Sequence, residues 1–263
     1  MIQIIIFSKD RALQLELLLR SMKEYFIGLE NYKVNILYTY SNENYRLGYE
    51  KLKKIHNDIF YKKEKSFKTD LIEMVDQNKK YLMFLVDDII FKEKFDASLL
   101  QNMTEGTICF SLRLHPNLKW CYALDCEISK KPKFIRNSEF LLFSYTGAQG
   151  DYGYPMSIDG NIYHTSDIED KLKRLYYTGP NELEGALSNN NISKNEMMCL
   201  YKSALFNNPC NKVQTCINNP SGYISPLYLN GMFLDGYKID LEPYRSFENI
   251  SCHQEVDIRL IKS

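Results

Sequence analysis

Two aspartates, Asp87 and Asp88, stand side by side near the end of the apolar run "FLVDDIIF" (84–91), with no basic residue adjacent. Two ionised carboxylates repel, and burying either one unpaired costs several kcal/mol, on the order of a lost buried ion partner. A cation must therefore reach them from elsewhere in the fold. A hard divalent ion of the Mg²⁺ or Mn²⁺ type prefers oxygen ligands, takes one or two carboxylates, and completes its shell with water and phosphate oxygens. Such an ion would neutralise a diphosphate and stabilise the charge that grows as it leaves. The plainer alternative is that Asp87 caps a turn and Asp88 pairs with a nearby lysine. Upstream, Lys9 and Arg11 are cations with the reach to meet a phosphate, and Asp10 is placed to cap the helix that follows.

The elements around these residues follow from periodicity. "IQIIIFSKDRALQLELLLRSM" reads as an apolar strand, a polar break at Ser8–Arg11, and a helix with Leu13, Leu15, Leu17, Leu18, Leu19 and Met22 at helical spacing. "KVNILYTYSN" (33–42) is a second strand, followed by the helix "YRLGYEKLKKI" (45–55), the short strand "DIFYKK" and a helix over 66–80. The chain then enters "YLMFLVDDIIF", read as one strand. Strand–helix alternation implies an α/β fold with a parallel N-terminal sheet and helices on both faces, whose ligand lies beyond the carboxyl ends of the strands. Three such ends carry polar groups: Ser8–Arg11, Tyr40–Glu43 and Asp87–Asp88.

Past residue 100 the runs 107–114, 139–145, 154–164 and 196–206 read as strands broken by Gly, Asn and Pro, so mixed or antiparallel additions are expected. Helices are expected at "SDIEDKLKRLYY", with capping-box spacing from Ser166 to Glu169, at "PNELEGAL" (180–187), over 211–218 after Pro209, and at "SPLYLNGMFLDG" up to Gly236. No repeat or linker-like stretch divides the 263 residues, which read as a single domain over 1–263. With 33 basic and 33 acidic residues there is no global field to draw nucleic acid or an acidic membrane. No stretch approaches a membrane span, so the expectation is a cytoplasmic protein, free or peripherally attached to the inner face of a membrane. Seven cysteines without a CxxC pair read as reduced core thiols.

The segments "FSKDRALQLELLLRSM", "LYTYSNENY" and "FLVDDIIF" together resemble the nucleotide-binding half of GT-A glycosyltransferases, particularly the family-2-like enzymes that build bacterial surface glycans. The resemblance covers about the first 115 residues. "FSLRLH", "YPMSIDGNIYHTSDI", "PNELE", "LNGMFLDGYKIDL" and "NISCHQE" extend it more loosely towards the C-terminus. It implies a GT-A-like (Rossmann-like) mixed sheet, with residues 1–115 binding a nucleotide-sugar donor, a UDP-sugar by preference, and residues 116–263 binding a glycan or lipid-linked acceptor. In that fold a DxD-type motif at a strand end holds the metal and the nucleotide. Here Val86 stands where a first acidic residue is often found, giving "VDD". The resemblance thus puts metal contact on Asp88, with Asp87 on the metal or the donor ribose, and His253 late in the chain completing the shell. Phe7, Ser8, Lys9, Arg11, Tyr40 and Ser41 are its donor-binding candidates.

Inverting sugar transfer needs a carboxylate base within hydrogen-bond reach of the acceptor hydroxyl. The resemblance points to Glu184, and the competing reading of that residue is a capping role with Asn181 as N-cap. Asp159 is the rival base, although Asp-Gly between strand-like runs is also a hairpin turn signal. Tyr152, Tyr154, Trp120 and Tyr122 offer faces for a sugar ring. Two other classes stay open: a sugar nucleotidyltransferase, which would usually carry a Gly-rich phosphate loop absent from "SKDRALQ", and a non-catalytic glycan-assembly protein on the same scaffold.

Overall fold

A computed structural model describes residues 2–190, 193–213 and 220–263. Eight residues of the first strand, β1 (Ile2–Lys9), form the middle of its parallel half because the run is apolar on both faces. Ile4 and Ile6 point into one core and Ile5 and Phe7 into another, as the two-residue period of a strand requires. The neighbours are β2 (Lys33–Thr39) and β4 (Tyr81–Val86), both parallel to β1, and β3 (Phe60–Lys63) lies outside β2, parallel to it.

The second half adds β5 (Thr107–Ser111), β6 (Ile135–Arg136), β7 (Leu141–Ser144), β8 (Asn161–His164) and β9 (Glu196–Cys199). The nine strands form one sheet in the order β6-β7-β9-β5-β8-β4-β1-β2-β3. β8 runs antiparallel to both β4 and β5, and β9 runs parallel to β5. The mixed α/β sheet with a parallel N-terminal half is the architecture expected from the sequence.

Helices cover both faces. α1 (Ala12–Tyr25), α2 (Glu43–Ile55) and α6 (Pro226–Leu234) pack on the face that holds Ile4 and Ile6. α3 (Phe67–Met74), α4 (Thr165–Arg174) and α5 (Pro180–Ser188) supply Phe67, Leu71, Ile168, Leu172, Leu183 and Leu187 to the other. Each fully buried aliphatic side chain here contributes about 1.5–3 kcal/mol of transfer free energy. α2 starts where Asn42 accepts hydrogen bonds from the amides of Asn44 and Tyr45.

Several elements are shorter than their hydrophobic runs. The run at 81–91 breaks at Asp87–Asp88, and Ile89–Phe91 leaves the sheet to pair antiparallel with Leu205–Asn207. Residues 196–206 split in the same way, and 154–164 is strand only from Asn161. α3 ends at Met74 rather than near Lys80. α4 begins at Thr165 after His164, so Ser166 lies inside it and is not its cap. The six described cysteines are free thiols. The helix expected over 211–218 falls mostly outside the described residues, as does Cys216. Among the described residues, no helix is long and apolar enough to cross a membrane.

Candidate functional site

A cavity of about 740 Å³ opens beyond the carboxyl ends of β1, β2 and β4. Phe7, Ser8, Lys9 and Arg11 reach it from β1, Leu37 and Thr39 from β2, and Val86, Asp87 and Asp88 from β4. Asp159, His253 and the start of α5, including Glu184, line the same cavity. One pocket thus gathers most of the residues singled out from the sequence.

The cation that the aspartate pair requires is Arg11. Its Nη1 lies 3.0 Å from Asp87 Oδ1 and 3.2 Å from Asp88 Oδ2. Nε donates to Asn211 Oδ1 at 2.8 Å, and Nη2 donates to the Asn211 carbonyl. Arg11 is therefore committed to the carboxylates and to the 207–213 segment rather than free for a phosphate. Asp87 is closed off further, since Oδ2 accepts the Lys9 amide at 3.0 Å. Burial pushes its carboxyl up to about 6, against the pull of Arg11. Asp88 is the more open of the two, and its Oδ1 accepts from Asn207 Nδ2 at 2.8 Å.

Two carboxylates against one guanidinium leave this three-residue cluster with a formal charge of minus one. That charge would repel a diphosphate, and a divalent ion would reverse it. The donor set suits a hard ion: Asp88 is a carboxylate facing the cavity, and Asn207 Oδ1 beside it is buried with no hydrogen-bond partner among the described residues. Among the described residues no three His, Cys, Asp or Glu side chains are grouped so as to hold a metal ion. Most of an ion's shell would thus come from water and phosphate oxygens, as Mg²⁺ tolerates well.

The second charged group is built around Arg113, in the segment after β5. This guanidinium is 3% exposed and pairs with Asp151 and, at 3.3 Å, with Asp159 Oδ2. His253 Nε2 lies 3.1 Å from the same Asp159 oxygen. Burial opposes the charge on Asp159, but His253 and then Arg113 hold its carboxyl below the usual range. Glu184 is shifted the other way, first by burial and then by the charge on Asp159, to about 7. Its Oε1 accepts the Ile158 amide at 3.0 Å. Two nearby carboxyls driven in opposite directions form the pattern of an acid–base site.

Glu184 is not a capping residue. α5 begins two residues earlier than Asn181-capping requires, with Gly179 as N-cap and Pro180 at the first position. Glu182 takes the third position and accepts from Thr178 N and Oγ1 at 2.7 and 2.6 Å. Asp159 is not in a two-residue hairpin either, because β8 starting at Asn161 pairs with β4 and β5 rather than with the segment before it.

Other expectations meet different surroundings. Tyr40 and Ser41 do not line the cavity: the Tyr40 hydroxyl accepts from Lys63, and Ser41 donates through N and Oγ to Asp10. Asp10 sits at φ 57° and serves that turn rather than capping α1, whose N-cap is Arg11. His253 is bonded to Asp159, not to Asp88. Tyr152 is fully buried and donates to the His115 carbonyl, and Trp120 lies off the cavity, whereas Tyr122 and Tyr154 line it. Arg113, Asp151, Asn207 and Asn211 were not anticipated. A lone arginine inside the apolar run "CFSLRLH" was a usable signal, since its burial demands carboxylate partners.

No family model matches the chain. It is 27% identical over 254 residues to "Bifunctional glycosyltransferase pgtA" of Dictyostelium discoideum, a match that covers 83% of this chain and 33% of that protein. The chain thus spans about a third of the length of the curated relative it matches. Among solved structures, TarS 1–349 of S. aureus in complex with UDP-GlcNAc aligns with 11% identity and a TM-score of 0.47, over 89% of this chain and 65% of that one. The mannosyltransferase PcManGT of Pyrobaculum calidifontis, in complex with GDP-Man and Mn²⁺, aligns with 11% identity and a TM-score of 0.33, over 42% and 34%. Over most of its length, then, this chain is similar to a glycosyltransferase, the resemblance its own sequence carries.

Proposed function

We propose that this protein is a metal-dependent glycosyltransferase that moves a sugar from a nucleotide-diphosphate donor, a UDP-sugar by preference, to a hydroxyl of a glycan or lipid-linked acceptor, with inversion. The observation that carries the reading is that Asp88, at a strand's carboxyl end, and Glu184, a carboxyl shifted towards neutrality, line one cavity large enough for a nucleotide-sugar. The curated relative's description as a glycosyltransferase supports it. Assembly of a bacterial surface polysaccharide on the cytoplasmic side, as a membrane-peripheral protein, is the setting such an acceptor implies.

When bound, Mn²⁺ or Mg²⁺ would neutralise the donor diphosphate and the charge developing on it. Asp88 is the residue to hold it, with Asn207 beside it. His253 would have to leave Asp159 to join the shell. Phe7, Ser8 and Lys9 lie along the donor side of the cavity. Glu184 accepts the proton of the acceptor hydroxyl as that oxygen bonds to the anomeric carbon and the carbon–diphosphate bond breaks. The donor site belongs mainly to residues 1–115, although Asn207 and Asn211 join it from the acceptor half.

Isothermal titration of UDP with and without Mn²⁺ tests this reading. Metal-dependent affinity that Asp88→Ala removes is the expected result, together with a Glu184→Gln protein that binds UDP but no longer turns over donor. Affinity unchanged in Asp88→Ala counts against the transferase. A second reading, a non-catalytic glycan-assembly protein, draws on the Arg11 guanidinium already seated on both aspartates. Metal-independent UDP binding with no turnover would favour it.

A further inference from the structure

Glu184 is held at one end by the helix that carries it and at the other by the Ile158 amide. The turn containing Ile158 precedes β8, which begins at Asn161, and its backbone is tied down on either side of Ile158 and Asp159: the Tyr163 hydroxyl donates to the Ser157 carbonyl, and Gly160 bonds through its N–H to the Phe84 carbonyl and through its carbonyl to the Leu112 N–H. Between those bonds the anchor is a side chain: Asp159, the residue after Ile158, is tied to Arg113 Nη1 at 3.3 Å. The same guanidinium holds Asp151 through Nη2, so its planar fork spans carboxylates from two separate segments. Arg113 is fixed in turn by its own burial, and its carbonyl lies 3.7 Å from Cys252 Sγ, next to His253.

We propose that Arg113 is a positioning residue for Glu184: its guanidinium fixes the Asp159 turn, and that turn presents the Ile158 amide to the Glu184 carboxylate. Arg113 does not touch the reacting atoms in this scheme. The inference rests on Glu184 being the base, and its test separates the two claims.

Only arginine suits this role. Lysine keeps the charge but, as a point donor, cannot hold Asp151 and Asp159 in the same two-pronged geometry. With Arg113→Lys the turn is held by one bond fewer, and Ile158 N–H drifts from Glu184. The donor end of the cavity, built on β1 and β4, touches neither Arg113 nor Asp159 directly and is linked to them only through Asn207 and His253, so it keeps its geometry. Catalysis should suffer while nucleotide affinity does not.

The experiment combines ¹⁵N-labelled protein, UDP titration with Mn²⁺, and UDP release from whichever of UDP-glucose, UDP-galactose and UDP-N-acetylglucosamine the wild type turns over. In the wild type the Ile158 amide proton should be shifted downfield and should move as Glu184 titrates, a response that Glu184→Gln abolishes. Arg113→Lys should lose the downfield shift, keep UDP affinity within about twofold, and lower kcat at least tenfold with little change in KM. Asp159→Asn, which weakens the same anchor from the other side, serves if Arg113→Lys does not fold. An Ile158 amide unchanged in these variants overturns the proposal, as does a parallel loss of UDP affinity. If Glu184→Gln retains full turnover, the base assignment fails, while the Ile158 signal still decides whether Arg113 positions that side chain.

Discussion

His253 Nε2 sits 3.1 Å from Asp159 Oδ2, in direct hydrogen-bond contact. Asn207 pairs with His253 in a β-bridge and donates to Asp88. The contacts therefore run from Asp88 through Asn207 and His253 to Asp159, joining the donor end of the cavity to the Arg113 group. A histidine in this chain of contacts supports a carboxylate more directly than it could support an ion at Asp88.

The first prediction tests that placement. His253→Gln should change the affinity for UDP in the presence of Mn²⁺ by no more than about twofold, because the substitution removes a partner of Asp159 and leaves Asp88 intact. A metal ligand would behave differently: its loss typically weakens binding by tenfold or more, comparable to losing a supporting partner of a metal site. Calorimetry on the two proteins decides between them.

A second prediction follows from the Glu184 carboxyl. A base must be ionised, so kcat/KM should rise with pH and level off above about 7, where Glu184 loses its proton. The sign for stability is opposite. A carboxyl whose folded pKa is raised binds its proton more tightly in the native state, so between its unfolded value, about 4.3, and the folded one, the native state holds more protons and stability falls as pH rises. Glu184→Gln removes that penalty. It should therefore raise stability by about 1–3 kcal/mol at pH 8 and leave it nearly unchanged at pH 4, as urea unfolding at the two pH values would reveal. Equal effects at both pH values would contradict the assignment.

The frame of this site was legible in the sequence because its signals are local. The periodicity of "IQIIIF" and "ALQLELLLRSM" gave β1 and α1, and strand–helix alternation gave the parallel half and the place of the crevice. What stayed hidden depends on pairings between distant residues. Nothing near Asp87 in the chain points to Arg11, 76 positions away, and nothing near Asp88 points to Asn207, 119 positions away. The strand end in "YLMFLVDDIIF" was misplaced for a related reason: the hydrophobic run continues through a turn because Ile89–Phe91 is buried on a separate two-stranded ribbon. Tyr40 and Ser41 were drawn away from the cavity by Lys63 and by Asp10, whose left-handed backbone conformation a residue pattern does not announce.

A third prediction concerns the turn beside Asp159. Gly160 has φ +87°, and a Cβ there would lie 2.9 Å from both Cδ atoms of Leu205, a fully buried side chain. Gly160→Ala combines a strained left-handed backbone with a steric conflict in the core, each costing roughly 1–3 kcal/mol. Thermal unfolding should show a loss within the sum of those ranges. The carboxylate next door should move with it, so turnover should fall by more than UDP affinity does. A variant as stable as the wild type would mean that the turn is not under this constraint.

The last prediction addresses the cation that the chain itself supplies. Arg11 is buried between Asp87 and Asp88, where burial opposes its charge and the two carboxylates more than restore it. Arg11→Met keeps much of the side-chain bulk but strands two carboxylates, and breaking a buried pair in this way costs about 3–5 kcal/mol at neutral pH. Protonation of Asp87 relieves part of that cost, so the deficit should shrink as pH falls towards 5, and Asp87→Asn added to Arg11→Met should recover part of the stability at pH 7. An ion bound at Asp88 supplies the missing positive charge from outside. Mn²⁺ should therefore raise the melting temperature of Arg11→Met by more than it raises that of the wild type, the reverse of what a damaged metal site would give. If Mn²⁺ stabilises the wild type and leaves Arg11→Met unaffected, Arg11 helps to build the ion's site instead of sharing its electrostatic task.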